Sequence, residues 1–286
     1  MNTSSGRLLT HPAAARQRFI EIAGLSDDRI DLTEASLIVA LEEYPALQVA
    51  RYLDQIDRWS DAIRARVVGS HDIDRIVDEI NRLLFDQEGF HGEATDYYDP
   101  RSAFLNEVLD RHAGLPLTLS IVYIEVSRRL GIEMSGVALP GRFLVKVAGV
   151  WGEILIDPFD EGRVLTTIEC QRIMDEVYGG GVKLREHHLR SVARRQVLSH
   201  LLAHLKSVYL AREDLEGALA SADRLLILDD RDPYEVRDHA HLAMQTHRYE
   251  EAIADFERYL ELMPHADDRE AIREQIAYLR GWLERN

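Results

Sequence analysis

One pattern is written twice in the C-terminal part of the chain. Asp214-Leu215-Glu216-Gly217-Ala218-Leu219 aligns with Arg248-Tyr249-Glu250-Glu251-Ala252-Ile253 at an offset of 34 residues (248 − 214). Ala222, Leu225, Leu226 and Leu228 then fall on Phe256, Tyr259, Leu260 and Leu262. That spacing keeps the apolar positions on one face of a helix. A unit of this length, built of paired helices, cannot bury its apolar face alone and has to stack on its neighbours. Asp232-Pro233 ends the first unit and Pro264 the second, because proline cannot carry a preceding helix onward. Two units are fewer than the ~3 such a stack needs, so the helix at 269–283 is expected to cap them.

Ahead of the repeat the pattern is mixed. Residues 1–12 read as a flexible lead-in without the apolar core of a signal peptide. Leu32, Ala35, Ile38, Val39 and Leu41 share one face of a helix that Tyr44-Pro45 ends. A second helix is expected over 46–59, and a third carries Ile73, Ile76, Val77, Ile80, Leu83, Leu84 and Phe85. Asp99 suits an N-cap and Pro100 the first position of a helix through Phe104, Leu105, Val108 and Leu109, stopping near Gly114. Residues 117–130 are apolar on most sides, which predicts a buried helix, with Gly131 as its C′ residue. Short strands follow at 136–139, 143–147 and 153–156, with Trp151-Gly152 in the last turn. The expected fold is α+β: a domain of helices plus a small antiparallel sheet over 13–190, then an all-α region over 191–286.

Composition narrows the function classes. The net charge is −16 and the pI about 5.2. An acidic chain lacks the clustered Lys and Arg that phosphate contacts require, so neither nucleic acid nor an anionic membrane surface is expected as a partner. No stretch approaches the ~20 apolar residues of a membrane-spanning helix. Cys170 is the single cysteine, which excludes an intrachain disulfide framework. These traits together predict a soluble, cytoplasmic protein.

The most specific local motifs are Asp96-Tyr97-Tyr98-Asp99-Pro100, the run from Arg111 to Ser120, Pro140-Gly141-Arg142-Phe143-Leu144 and Ile156-Asp157-Pro158-Phe159. Their order of helix, strand and strand-ending Asp resembles the papain-like core of the transglutaminase-like superfamily. The 34-residue period resembles the tetratricopeptide repeat. Both together resemble the bacterial Sir-B-type family, over residues 30–280. In a transglutaminase-like core, the resemblance implies a Cys opening the helix, a His on the next strand and an Asp or Asn on the one after. The matching positions here read Pro116, Arg142 and Asp157. Proline carries no nucleophile, and arginine stays protonated and cannot take a proton. Only Asp157 is kept, and an Asp facing an Arg on the neighbouring strand is expected to pair with it, as a bidentate pair if the geometry allows.

Thr118 and Ser120 lie at the helix start and are the candidate replacement nucleophiles; each needs a base within ~3 Å, and capping or backbone hydrogen bonding is the competing reading. Cys170 reads as a small buried residue more readily than a nucleophile. His200 and His204 share a helix face, but no Glu follows His200, and no metal or cofactor is expected. His239, His241 and His247 read as packing or solvated residues of the repeat. Asp96, Tyr97, Tyr98 and Asp99 form a polar aromatic loop that reads either as the lip of a binding groove or as turn and cap chemistry. Glu125 sits in the apolar helix and needs a partner, for which Arg142 and Arg111 are the candidates. From Ala211 to Asn286 there are 19 acidic and 10 basic residues, a net of −9, either a solvated face or a steering surface for a basic partner.

The expected function is non-catalytic: protein–protein interaction or scaffolding, with a protein or peptide partner bound by the tetratricopeptide region. The alternative is a peptidase or amide-acyl transferase of the same superfamily with a non-standard nucleophile. A regulator of gene expression acting by protein contact is the third reading.

Overall fold

The computed structural model describes residues 12–70, 72–93 and 99–285. The chain divides into two compact units between Leu201 and Leu202. The first is the α+β unit and the second is helical, the fold class expected.

The first unit begins with α1 (Pro12–Ala23), α2 (Leu32–Ala40), α3 (Val49–Arg66) and α4 (Ile73–Asn81). Asp31 caps α2 and Asp72 caps α4, each accepting a backbone N–H of the first turn. The apolar stripe that runs on to Phe85 is not one helix: α4 passes into a π-helical turn, Arg82–Gln87. The helix expected to begin at Pro100 is likewise divided. Asp99 caps a 3₁₀ turn, Pro100–Ser102, and α5 (Leu105–Arg111) starts only after it. Two short parallel strands, β1 (His91–Gly92) and β2 (Ala113–Gly114), then lead into α6 (Pro116–Arg129).

Helix α6 is the centre of this unit, buried at every position from Thr118 to Ser127. Gly131 ends it with φ of 82°. Gly131 N bonds Arg128 O and Ile132 N bonds Ser127 O, both at 3.0 Å, the Schellman arrangement. The sheet consists of β3 (Ser135–Leu139), β4 (Arg142–Gly149), β5 (Gly152–Asp157), β6 (Arg163–Leu165) and β7 (Ser191–Val192), in the order β6-β5-β4-β3-β7, all antiparallel. Between β6 and β7 lies α7 (Thr167–Tyr178), absent from the sequence reading although Thr166-x-x-Glu169 announces it. The Thr166 hydroxyl accepts Glu169 N at 3.3 Å and Glu169 Oε2 accepts Thr166 N at 2.8 Å, a capping box.

Glu125 is fully buried, and its partners are not Arg142 or Arg111. Its Oε2 accepts from Arg128 Nε (3.1 Å) and Arg129 Nη1 (2.8 Å), and its Oε1 accepts from Leu32 N (3.1 Å) and from Arg194. Two of these cations follow within one helical turn, and Arg194 opens α8 (Arg194–Ala211).

The second unit holds α9 (Leu215–Leu228), α10 (Pro233–Gln245), α11 (Tyr249–Leu262) and α12 (Arg269–Leu283) after the end of α8. The repeated positions make its core: Ala218 and Ala222 on α9 match Ala252 and Phe256 on α11, and all four are fully buried. Asp214 and Asp232 cap α9 and α10. Gly217 is required by close approach, since a Cβ there would lie 2.6 Å from the Tyr209 ring. His239, on α10, packs inward. Its Nδ1 donates to Asp255 on α11 (2.6 Å) and its Nε2 to Asp223 on α9 (2.8 Å). Burial depresses its pKa, but the two carboxylates outweigh burial and raise it to about 9.

Candidate functional site

Arg142 and Asp157 come together where β4 begins and β5 ends, and Ser120, one turn after Pro116 on α6, reaches Phe143 O beside them. Pro116 is the first residue of α6, where its missing N–H leaves no helical bond unmade. Gly114 ahead of it has no room for a side chain: a Cβ would lie 2.7 Å from Thr118 Oγ1 and 2.9 Å from Val108. Arg142 opens β4 and Asp157 closes β5. Arg142 Nε stands 3.4 Å from Asp157 Oδ2, and Arg142 Cζ lies 4.5 Å over the Phe159 ring. The pair is therefore formed but not bidentate: one nitrogen approaches one oxygen, without hydrogen-bond geometry. The other oxygen, Oδ1, accepts Phe159 N at 3.0 Å. Asp157 is almost fully buried, and that burial pushes its pKa up against the opposing pull of Arg142.

Both hydroxyls near the helix start are committed to backbone. Thr118 Oγ1 accepts Leu115 N (2.9 Å) and donates to Ser102 O (3.0 Å). Ser120 Oγ donates to Phe143 O (3.2 Å). Both are buried, and among the described residues no imidazole or carboxylate bonds to either one.

Of the polar aromatic loop, Asp96, Tyr97 and Tyr98 lie outside the described residues. Asp99 is buried and accepts Arg101 N (3.0 Å) and Arg101 Nη2 (2.7 Å). The Arg101 side chain, then burial working the other way, set its pKa, with the net result lowered. Arg111, overlooked in the sequence as a site residue, pairs with Glu93 at 3.2 Å just beyond β1. Its place at the end of α5, three residues before Gly114, was the signal available.

Cys170 is fully buried on α7 among Val137, Leu144, Leu155 and Met174. Burial, followed by the Glu169 and Asp157 charges, pushes its thiol pKa up. Alkylation by iodoacetamide at pH 7 is therefore expected to be at least ~100-fold slower than for a free thiol, and full after unfolding in urea; mass spectrometry over a time course reads it. His200 packs edge-on to Phe143 at 5.9 Å, and burial lowers the pKa of both His200 and His204. Among the described residues no group of three or more His, Cys, Asp or Glu is placed to hold a metal ion. No described helix is long and apolar enough to cross a membrane.

A buried helix opening beside an Arg–Asp strand pair, followed by stacked helix pairs, defines the class. Residues 50–203 match the transglutaminase-like superfamily and residues 205–277 the tetratricopeptide repeat. The chain belongs to the transglutaminase-like superfamily and, within it, to the UPF0162 proteins. It is 32% identical over 261 residues to a UPF0162 protein of Xylella fastidiosa (strain 9a5c), covering 90% of this chain and 93% of that one. With a UPF0162 protein of Vibrio cholerae serotype O1 it shares 28% identity, over 87% of this chain and 92% of the relative. A stretch of 110 residues is 32% identical to F-box only protein 21 of Mus musculus, covering 36% of this chain and 18% of that protein.

Proposed function

We propose that this chain is a non-catalytic, cytoplasmic, Sir-B-type member of its superfamily that acts by binding a protein or peptide partner through its tetratricopeptide unit. The observation that carries the reading is the composition of the centre. The positions of nucleophile and base read Pro116 and Arg142, and the two neighbouring hydroxyls are spent on backbone hydrogen bonds. A thiolate, or an alkoxide made by an adjacent base, is what acyl transfer on this scaffold requires. Arginine supplies neither the base nor the nucleophile.

The second unit supports the binding half of the proposal. Tetratricopeptide arrays offer a concave surface built from their helices. Here Lys206 on α8 pairs with Glu235 (2.5 Å) and Asp238 (2.9 Å) on α10, and Arg237 on α10 with Asp268 beside α12 (2.9 Å). The segment from Ala211 onward has 19 acidic against 10 basic residues, which favours a basic partner segment by electrostatic steering.

The test uses the full chain in two assays: incorporation of dansylcadaverine into casein, and covalent labelling by a fluorophosphonate and a chloroacetamide probe. Both are expected to match the heat-denatured control. Labelling on Thr118 or Ser120 that disappears in Thr118→Ala or Ser120→Ala would instead establish the peptidase or amide-acyl transferase reading.

A further inference from the structure

We infer that Arg142 is the recognition group of a carboxylate-binding site at the start of α6, and that its ligand is the acidic side chain of a peptide segment. This is independent of partner binding by the tetratricopeptide unit.

The first observation is the state of the Arg142 guanidinium. It is 21% exposed, and its Nε is buried with no hydrogen-bond partner. Neither terminal nitrogen hydrogen-bonds to a described residue. A guanidinium carries five N–H donors, and a buried donor left without a partner keeps its desolvation cost uncompensated. Yet the group is held in place: Phe159 supports one face at 4.5 Å and Asp157 supplies charge at 3.4 Å. A donor set fixed in orientation but unspent on the protein is what a planar bidentate acceptor needs, because little ordering cost remains.

The second observation is a neighbouring guanidinium in a similar condition. Arg111 Nη2 reaches Glu93 at 3.2 Å, while its Nη1 is buried without a partner. Backbone joins the two arginines. Glu93 N bonds Gly114 O at 2.9 Å, and Gly92 lies so close to Phe159 that a Cβ would stand 2.7 Å from its ring. Gly92, Glu93 and Phe159 thus link them, with Phe159 stacked under Arg142 and Glu93 paired with Arg111.

The protein carboxylates do not compete for the same ligand face. Asp157 is 3% exposed and has given Oδ1 to Phe159 N. Glu93 and Asp157 still contribute charge, which disfavours a dianion such as a phosphate monoester and suits a single carboxylate. The Phe159 ring beneath the guanidinium adds apolar contact area for a chain rather than for a bare ion.

The experiment follows the arginine Nε–Hε resonances of the full-length, ¹⁵N-labelled protein by NMR, titrating Ac-Ala-Glu-Ala-NH₂, its neutral isostere Ac-Ala-Gln-Ala-NH₂, and acetate. A saturable shift of the Arg142 signal is expected with the Glu peptide, at least ~10-fold weaker with the Gln peptide and with acetate. Arg142→Gln should abolish the response, and Arg142→Lys, which keeps charge but loses the fork, should weaken it at least ~10-fold. Thermal melting of each variant checks that the fold is retained. Equal response to Glu and Gln peptides, full affinity in Arg142→Lys, or no shift with any probe would overturn the site. Acetate binding as tightly as the peptide would overturn the peptide assignment.

Discussion

Replacing Glu125 by alanine is expected to cost the first unit about 3–5 kcal/mol, the usual penalty for removing one partner of a buried ion network. The carboxylate is fully buried and each oxygen accepts two hydrogen bonds, from Leu32 N, Arg128, Arg129 and Arg194. It therefore ties the start of α2 and the start of α8 to α6. Without it, Arg129 and Arg194, whose side chains are only 14% and 15% exposed, lose their shared counter-charge. Asp31 still accepts from Arg128 (2.6 Å) and Arg129 (3.1 Å), and Asp57 from Arg129 (2.5 Å), which places the loss toward the lower end of the range. Glu125→Gln keeps the acceptor that meets Leu32 N and should lose less. Urea denaturation followed by Trp59 fluorescence measures both; a loss below ~1 kcal/mol for Glu125→Ala would show that the network does not hold these helices.

The second unit is expected to lose about 3 kcal/mol of stability between pH 6.5 and pH 9. His239 has its pKa raised to about 9 in the folded state, against an ordinary value of 6.5. A group with a raised folded pKa stabilises fully while both states are protonated, below pH 6.5. That contribution declines as the unfolded chain deprotonates and is gone above about 9, where the folded imidazole has lost its proton too. The sign is thus a fall in stability with rising pH. His188, His200, His204 and His241 have lowered pKa values, so their titration falls below this window. Chemical denaturation followed at Trp282 across pH 6–9.5 reads the slope, and His239→Gln should flatten it. An unchanged slope in that variant would assign the pH dependence elsewhere.

Local chemistry made much of this molecule legible. The span of α12, the Gly131 C′ residue and the cap at Asp99 follow from helical periodicity and end-residue chemistry that act within one or two turns of their own backbone. Elements whose definition depends on neighbours were less legible. The stripe to Phe85 has helical spacing throughout, so periodicity could not announce the π-turn at Arg82. Strand β7 is two residues long, and its pairing with β3 defines it. Arg142 and Asp157 were expected to pair and do, but the Phe159 ring under the guanidinium sets an approach that spacing cannot give.

The sequence by itself determined that the nucleophile and base positions hold proline and arginine, and that a 34-residue helical repeat follows, because residue identity and periodicity are properties of the chain alone. Only the tertiary structure decided who meets whom. Glu125 finds Leu32 at a separation of 93 residues and Arg194 at 69, and His239 finds one Asp sixteen residues behind and another sixteen ahead. A buried charge must be met by whatever the fold brings within about 3 Å, and at such separations that partner is chosen by packing rather than by order along the chain.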